Sequence, residues 1–170
     1  MAWHFMLTGK LTQAAHGSNI SLTGIRPSAA GFFSGKVNAD SVNKPTGRWS
    51  KNTMAGQLYS KEYMKEEILA ASQKVQDAAK KHSINGHAVA LRWCRHHSWL
   101  RAEHGDAMIV GASSLPQWEE TLRYCDEGPL PDELVKVIDD VWPSVKPVAP
   151  WAWMDFKLDK ELDELRKKHG

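Results

Sequence analysis

The sequence predicts an α/β chain that is mostly helical, and three observations carry that expectation. Met64, Ile68, Ala71, Val75 and Ala78 recur at helical spacing between about residues 61 and 81, with charges on the opposite face. A second helical stretch runs from about Gly86 to His97 and carries Val89, Leu91, Trp93 and Cys94. Between it and a third helical pattern lies a short apolar run, Ala107 to Val110, that stops at Gly111 and reads as a buried strand. A strand, a glycine, two serines and then an amphipathic helix form a strand–turn–helix junction.

The remaining elements follow in chain order. Residues 1–24 show no sustained period and are expected to be irregular. Pro27 to Trp49 is rich in Gly, Ser, Asn and Pro and reads as a loop ending in Pro45-Thr46-Gly47-Arg48-Trp49. Long loops in compact domains are usually functional or disordered. Beyond the strand, Leu115, Trp118, Leu122 and Cys125 stripe a helix, Gly128-Pro129-Leu130-Pro131 punctuates, and a helix from Pro131 to Val141 follows. Pro143, Pro147 and Pro150 are expected to break the chain into a Trp-bearing tail, with Leu158, Leu162 and Leu165 marking a last short helix. No internal repeat is present.

Composition narrows the function classes. The chain has 170 residues with 22 basic and 20 acidic side chains and a net charge of +2, too balanced for a dedicated nucleic-acid or membrane-surface binder. The basic cluster Arg166-Lys167-Lys168-His169 reads as a solvated helix end. Cys94 and Cys125 lack metal-type spacing and point to a reducing compartment. The apolar start, Ala2 to Leu7, is interrupted by His4 and is too short for a secretion signal, and no run approaches the roughly 20 apolar residues of a membrane span. A cytoplasmic location is expected.

Gly111-Ala112-Ser113-Ser114 ahead of a helix supports two readings. Ser114 with Gln117 three residues on makes a capping box. The same backbone, with free N–H groups at the positive end of a helix dipole, also suits a phosphate. The block from Gly111 to Thr121 closely resembles the last strand–helix junction of the aldo/keto reductases, whose aflatoxin-aldehyde-reductase-like branch carries Gly-x-Ser-Ser-x-x-Gln-x-x-Glu/Gln-Asn here. The resemblance implies that Gly111 is a cofactor contact, that Ser113 and Ser114 face the 2′-phosphate of NADPH and that Gln117 and Glu120 face its adenosine. The family's terminal Asn is Thr121 in this chain.

A second block, Pro27-Ser28-Ala29-Ala30-Gly31-Phe32-Phe33-Ser34-Gly35-Lys36, resembles the family's Asn-Pro-Leu-Ala-Gly-Gly-x-Leu-Thr/Ser-Gly-Lys loop, which folds over the pyrophosphate. Small residues let backbone approach phosphates closely. By that resemblance Ser28, Ala29, Gly31, Ser34 and Lys36 are cofactor contacts, and Arg48 falls where the family places a cofactor-contacting arginine. Ile25 stands where the family usually has an aromatic residue under the nicotinamide, with Arg26 after it. Leu91-Arg92-Trp93-Cys94-Arg95-His96-His97-Ser98 and His104-Gly105-Asp106-Ala107 resemble two further family segments, expected to be architectural. Adjacent imidazoles on a helix diverge, so no metal site is expected from His96, His97 and His104, and His82 with His87 is a weaker pattern still.

The resemblance covers residues 27–142 and implies the C-terminal portion of a (β/α)8 TIM barrel, predominantly helical with one or two parallel strands. It divides the chain into residues 1–24 outside the family, a cofactor-binding part over 25–142, and a tail over 143–170 in which Trp151, Trp153 and Met154 are expected either to line a pocket or to be core or interface residues. A complete barrel takes about 250 residues. The family's catalytic tyrosine, lysine, aspartate and histidine belong to the first half of the barrel, and Tyr59, Tyr63 and Tyr124 stand in no such motif; Tyr63 and Lys65, two positions apart on one helix, point apart. No catalytic residue is therefore assigned.

The implied function is NADPH-dependent reduction of aldehydes or ketones, with a small carbonyl compound as partner. The alternatives are a non-catalytic nucleotide-binding or assembly module and a truncated or mispredicted product, which the unrelated residues 1–24 favour. Half a barrel leaves strand edges and apolar interior exposed, which predicts a homo-oligomer or a partner carrying the missing half.

Overall fold

A computed structural model of the chain describes residues 9–35, 37, 42–43 and 47–149, without the side chains of 9–11. The Trp-bearing tail with its leucine stripe and basic end, and Lys36, lie outside the described residues. The described elements are α1 (Gly9–Gly17), β1 (Thr23–Ile25), a 3-10 segment (Ala29–Ser34), α2 (Met54–Tyr63), α3 (Glu66–Lys81), α4 (Gly86–His96), a 3-10 turn (Ala102–His104), β2 (Ala107–Ile109), α5 (Leu115–Asp126) and α6 (Asp132–Val145). The architecture is mostly helical with two parallel strands, β1 beside β2 in the register Thr23↔Ala107, Gly24↔Met108 and Ile25↔Ile109. Parallel pairing requires a long crossover, and α2, α3 and α4 supply it.

Residues 1–24 are not irregular throughout. Thr12 and Ala15, three apart on one face of α1, are buried, and tertiary packing makes a helix where periodicity alone gave no signal. Asn19, in the left-handed region at φ 57°, follows the end of that helix, and the chain then enters β1.

The helix expected over residues 61–81 is two. Lys65 is extended (φ −97°, ψ 143°) and separates α2 from α3, while Glu66 and Glu67 place negative charge in the first turn of the new helix. Tyr63 and Lys65 thus do not share a helix. At the other end of the chain, α6 does not stop at Val141 but runs through Pro143 to Val145. Leu134, Ile138, Val141 and Val145 on one face of α6 are all buried in the main core, and that seam holds the helix past the proline.

The main core joins α3 and α6 to an aromatic group of Phe32, Phe33, Trp49, Tyr59 and Tyr63. Phe32 stacks on Tyr63 at 5.4 Å, Trp49 lies 5.4 Å from Tyr59, and the Trp49 indole N–H donates to the Ala30 carbonyl at 3.2 Å. The described part of the loop is thus anchored. A smaller cluster of Ala88, Leu91, Tyr124 and Cys125 joins α4 to α5.

One burial expectation fails, and the striped helix forms with a different face turned inward. The strand is not buried, since Ile109 is 58% exposed. On α5, Leu115, Trp118 and Leu122 are exposed, and the buried face is instead Thr121, Tyr124 and Cys125. No helix among the described residues is long and apolar enough to cross a membrane.

Candidate functional site

The C-terminal ends of the two parallel strands converge on an open cleft of about 410 Å³, within the range of about 300–1,000 Å³ for small-molecule sites. β1 feeds it Ile25 and then Arg26, Pro27, Ser28 and Ala30, and β2 feeds it Ile109, Val110, Gly111 and Ala112. Arg48, His87, Leu91 and Thr121 close the remaining walls. Among the described residues, its lining carries two guanidinium side chains and no carboxylate.

Of the residues singled out in the sequence, the cleft brings together Ser28, Arg48, Gly111 and Thr121. Ala29 is fully buried in the core, and Gly31 and Ser34 lie on the 3-10 segment outside the cleft lining. Ser113, Ser114, Gln117 and Glu120 are exposed and lie outside the cleft lining, the serines just before α5 and the other two on its first turns. Arg26 and His87 line the cleft and were not read as site residues. His87 is 34 residues from Thr121, and no local pattern joins them.

The loop before the cleft has an unusual backbone. Arg26, Ala29 and Ala30 have φ of 53°, 51° and 58°, a region that residues with a side chain seldom adopt, and Gly31 follows at 90°. At the other wall Gly111 is a glycine of a different kind. Its φ is not left-handed, and a Cβ built there would meet no atom within 4 Å. The fold does not demand a glycine at 111; its absent side chain leaves the backbone after β2 bare toward the cleft.

The first turn of α5 is closed by local capping bonds. Ser114 is the N-cap, its side chain accepting from the Gln117 N–H. Gln117 reaches back, and its Oε1 accepts from the Ser113 N–H at 3.0 Å and from the Ser113 hydroxyl at 2.7 Å. One turn on, the Tyr124 hydroxyl donates to Glu120 Oε1 at 2.7 Å and accepts from the Asn85 side-chain amide, whose Oδ1 in turn caps α4 through the Ala88 N–H at 2.8 Å. His87 Nε2 lies 3.2 Å from Thr121 Oγ1. Burial pushes the His87 imidazole below its ordinary pKa of 6.5, against the opposing pull of Glu120. The neutral ring is the form that holds this bond at neutral pH.

The histidine-rich segment is structural. Arg92 forks onto the Gly128 and Pro129 carbonyls, each at 2.7 Å, and onto Glu127 at 3.1 Å. His96 Nε2 lies 2.9 Å from the Glu127 carbonyl, and His97 Nε2 accepts the Leu130 N–H at 3.0 Å. These contacts tie the end of α4 to the α5–α6 loop. The tyrosines are equally committed. Burial drives Tyr63 well above its ordinary value, Lys65 Nζ donates to the Val148 carbonyl at 2.7 Å, and burial with the Glu120 bond raises Tyr124.

The sequence profile of the aldo/keto reductase family matches residues 7–143, most of the chain. The chain belongs to the aldo/keto reductase family. The match begins at residue 7 rather than near 25, so it takes in α1 and β1 and moves the expected family boundary toward the N-terminus. Among its relatives, the human aldo-keto reductase family 7 member A3 is 38% identical over 130 residues, 73% of this chain and 39% of the relative. The human aflatoxin B1 aldehyde reductase member 2 is 36% identical over 130 residues, 73% of this chain and 36% of the relative. Oxidoreductase sirO of Leptosphaeria maculans is 38% identical over 115 residues, 67% of this chain and 35% of the relative. The chain therefore spans well under half the length of these relatives.

Proposed function

We propose that this chain is the NADPH-binding, C-terminal portion of an aldo/keto reductase (β/α)8 barrel, serving the reduction of a small aldehyde or ketone to its alcohol in the cytoplasm. Family membership supports the oxidoreductase class, and the two free, buried cysteines suit a reducing compartment. The observation that carries the nucleotide reading is Gly111, a glycine required neither by φ nor by packing, whose bare backbone borders a cleft lined by two arginines. A glycine of that kind admits a ligand's close approach.

The residues present fit the cofactor. Arg48 and Ser28 line the cleft with charge and hydroxyl suited to phosphate. Lys36, outside the described residues, is a further phosphate contact by the family resemblance alone. Ser113 and Ser114 hold N–H and O–H groups at the helix N-terminus beside it, where the dipole favours anions. Gln117 and Glu120 would take the adenosine side, and Thr121 closes the wall beneath it. When bound, NADPH supplies the hydride. The chain's own contribution is binding and orientation, since Tyr63 is held in an aromatic core and Tyr124 is engaged by Glu120. By the family resemblance the proton donor and the carbonyl site fall to a tyrosine, lysine, aspartate and histidine set, and no residue of this chain is assigned to it.

Titrating NADPH into the purified chain and following tryptophan fluorescence, with NADPH absorbance monitored in the presence of an aldehyde, tests this reading. Saturable binding without turnover is the expected result, and absence of binding overturns it. The second reading, an assembly module, is favoured by the exposed Leu115, Trp118 and Leu122 on α5. It predicts tight association with another chain and no nucleotide binding.

A further inference from the structure

Asn85 and Gly86 are each demanded by the fold, for separate reasons. Asn85 is the N-cap of α4, its Oδ1 accepting the Ala88 N–H at 2.8 Å. Gly86 follows it, and a Cβ there would lie 1.8 Å from the Phe33 carbonyl oxygen. The same pair carries a chemical liability: a glycine has no side chain to screen its backbone nitrogen from the preceding carboxamide. Asn85 is exposed, so water reaches it. We propose that Asn85 is a deamidation site, held closed by the Tyr124 hydroxyl while α5 is docked on α4, and that its conversion to aspartate weakens that docking.

The reaction is a cyclisation followed by a hydrolysis. The Gly86 nitrogen loses its proton and attacks Asn85 Cγ. The new C–N bond closes a succinimide, the Cγ–Nδ2 bond breaks, and Nδ2 leaves as ammonia. Water then opens the ring and restores the Gly86 N–H, leaving aspartate, or isoaspartate when the α-carbonyl is the one cleaved. Nothing is oxidised or reduced. Closure needs Cβ, Cα, C and the Gly86 nitrogen near one plane, and ψ of 157° at Asn85 keeps them far from it. It also needs a free carboxamide, and both polar atoms are tied. Ala88 holds Oδ1, and Nδ2 donates to the Tyr124 hydroxyl, which itself donates to Glu120 Oε1 at 2.7 Å. Tyr124 is buried in the cluster that joins the two helices, so Nδ2 is released when α5 is released. An aspartate at this position still caps α4 but offers Tyr124 no proton. One hydroxyl proton then serves two carboxylates, and like charges meet across it.

The test incubates the full chain at mildly alkaline pH, with and without urea, and follows conversion at Asn85 by peptide mass spectrometry. Fast conversion in urea and slow conversion in the native chain are expected. Tyr124→Phe keeps the ring and removes the hydroxyl, and should speed native conversion about fivefold, the weight of one hydrogen bond between neutral groups. Its melting temperature reports whether it folds. Asn85→Asp, the product, should melt below wild type, and added salt should shrink the difference. Glu120→Gln in that background should restore stability, because the glutamine amide donates to Tyr124 and the hydroxyl then donates to the aspartate. Equal rates in native chain and urea, or no conversion in urea, overturn the proposal. So does a folded Tyr124→Phe chain that converts at the wild-type rate, or an Asn85→Asp chain as stable as wild type. If Tyr124→Phe does not fold, the contrast with urea and the Asn85→Asp pair decide.

Discussion

His16 and Asp106, ninety residues apart in the chain, meet at 2.8 Å between Nε2 and Oδ2. The Asp106 side chain is fully buried and also accepts the Leu22 N–H at 2.7 Å and the Arg101 N–H at 2.8 Å. His104 stacks on His16 at 4.0 Å. One carboxylate thus joins α1, the entry to β1 and the turn before β2, and holds the two strands in register. Asp106→Ala removes three partners at once and is expected to cost about 3 kcal/mol, read from urea unfolding. Burial pushes the Asp106 carboxyl upward, but its two backbone bonds and His16 outweigh that and hold it below the ordinary 3.8. Its contribution is therefore present above that value and is lost as pH falls through the lowered one.

The histidines act in a different window. Burial lowers His87 and His97 below 6.5, with the neighbouring His96 adding to the shift at His97. Well above pH 6.5 both are neutral folded and unfolded, and they contribute no pH dependence. Below it the unfolded chain takes up protons that the folded chain resists, so stability should fall with pH from 6.5 downward. Melting temperatures between pH 7.5 and 5 check this, with His97→Asn expected to flatten the slope. A melting temperature that rises on acidification would contradict the assigned neutral rings.

Two glycines should respond in opposite ways. A Cβ at Gly86 would lie 1.8 Å from the Phe33 carbonyl oxygen, so Gly86→Ala must push the loop away from α4 and should cost about 2 kcal/mol or more. Gly111→Ala meets nothing in the protein and should leave the melting temperature unchanged or slightly higher. The same substitution should weaken NADPH binding measurably if the cleft is the cofactor site.

Arg92 should not tolerate replacement by lysine. A lysine cannot reproduce the fork onto the Gly128 and Pro129 carbonyls, so Arg92→Lys is expected to lose about 1–2 kcal/mol. Glu127→Gln, which removes charge from one arm only, should lose less in the same unfolding experiment.

The exposed stripe on α5 predicts behaviour in solution. Leu115→Lys combined with Leu122→Glu should reduce light scattering at high protein concentration without lowering the melting temperature, because neither side chain supports the core.

Much of this was legible in the sequence and some was not, for physical reasons. α3 and α4 show because their buried faces recur at helical spacing and Asn85 caps the second. The Ser113–Gln117 turn shows because capping is local chemistry. β1 did not show: three residues, Thr-Gly-Ile, hold no period, and their partner strand is eighty-four positions away. α1 was missed for the same reason, since Asp106 lies far from it in sequence. The stripe Leu115, Trp118, Leu122 is a real helical periodicity, yet periodicity says only that the residues share a face. His87 was not legible as a cleft residue because its contact with Thr121 is made by packing α4 on α5.

The Ser113–Gln117 closure has a thermodynamic consequence. With Gln117 Oε1 already occupying the Ser113 N–H and hydroxyl, the turn is shaped before any ligand arrives. An anion docking there exchanges one acceptor for another and displaces a single glutamine side chain, while the backbone stays put. Little ordering entropy is then charged to association. Gln117→Ala would leave both groups to water and the turn to wander, so its penalty should fall on the entropy of binding and leave the enthalpy nearly untouched.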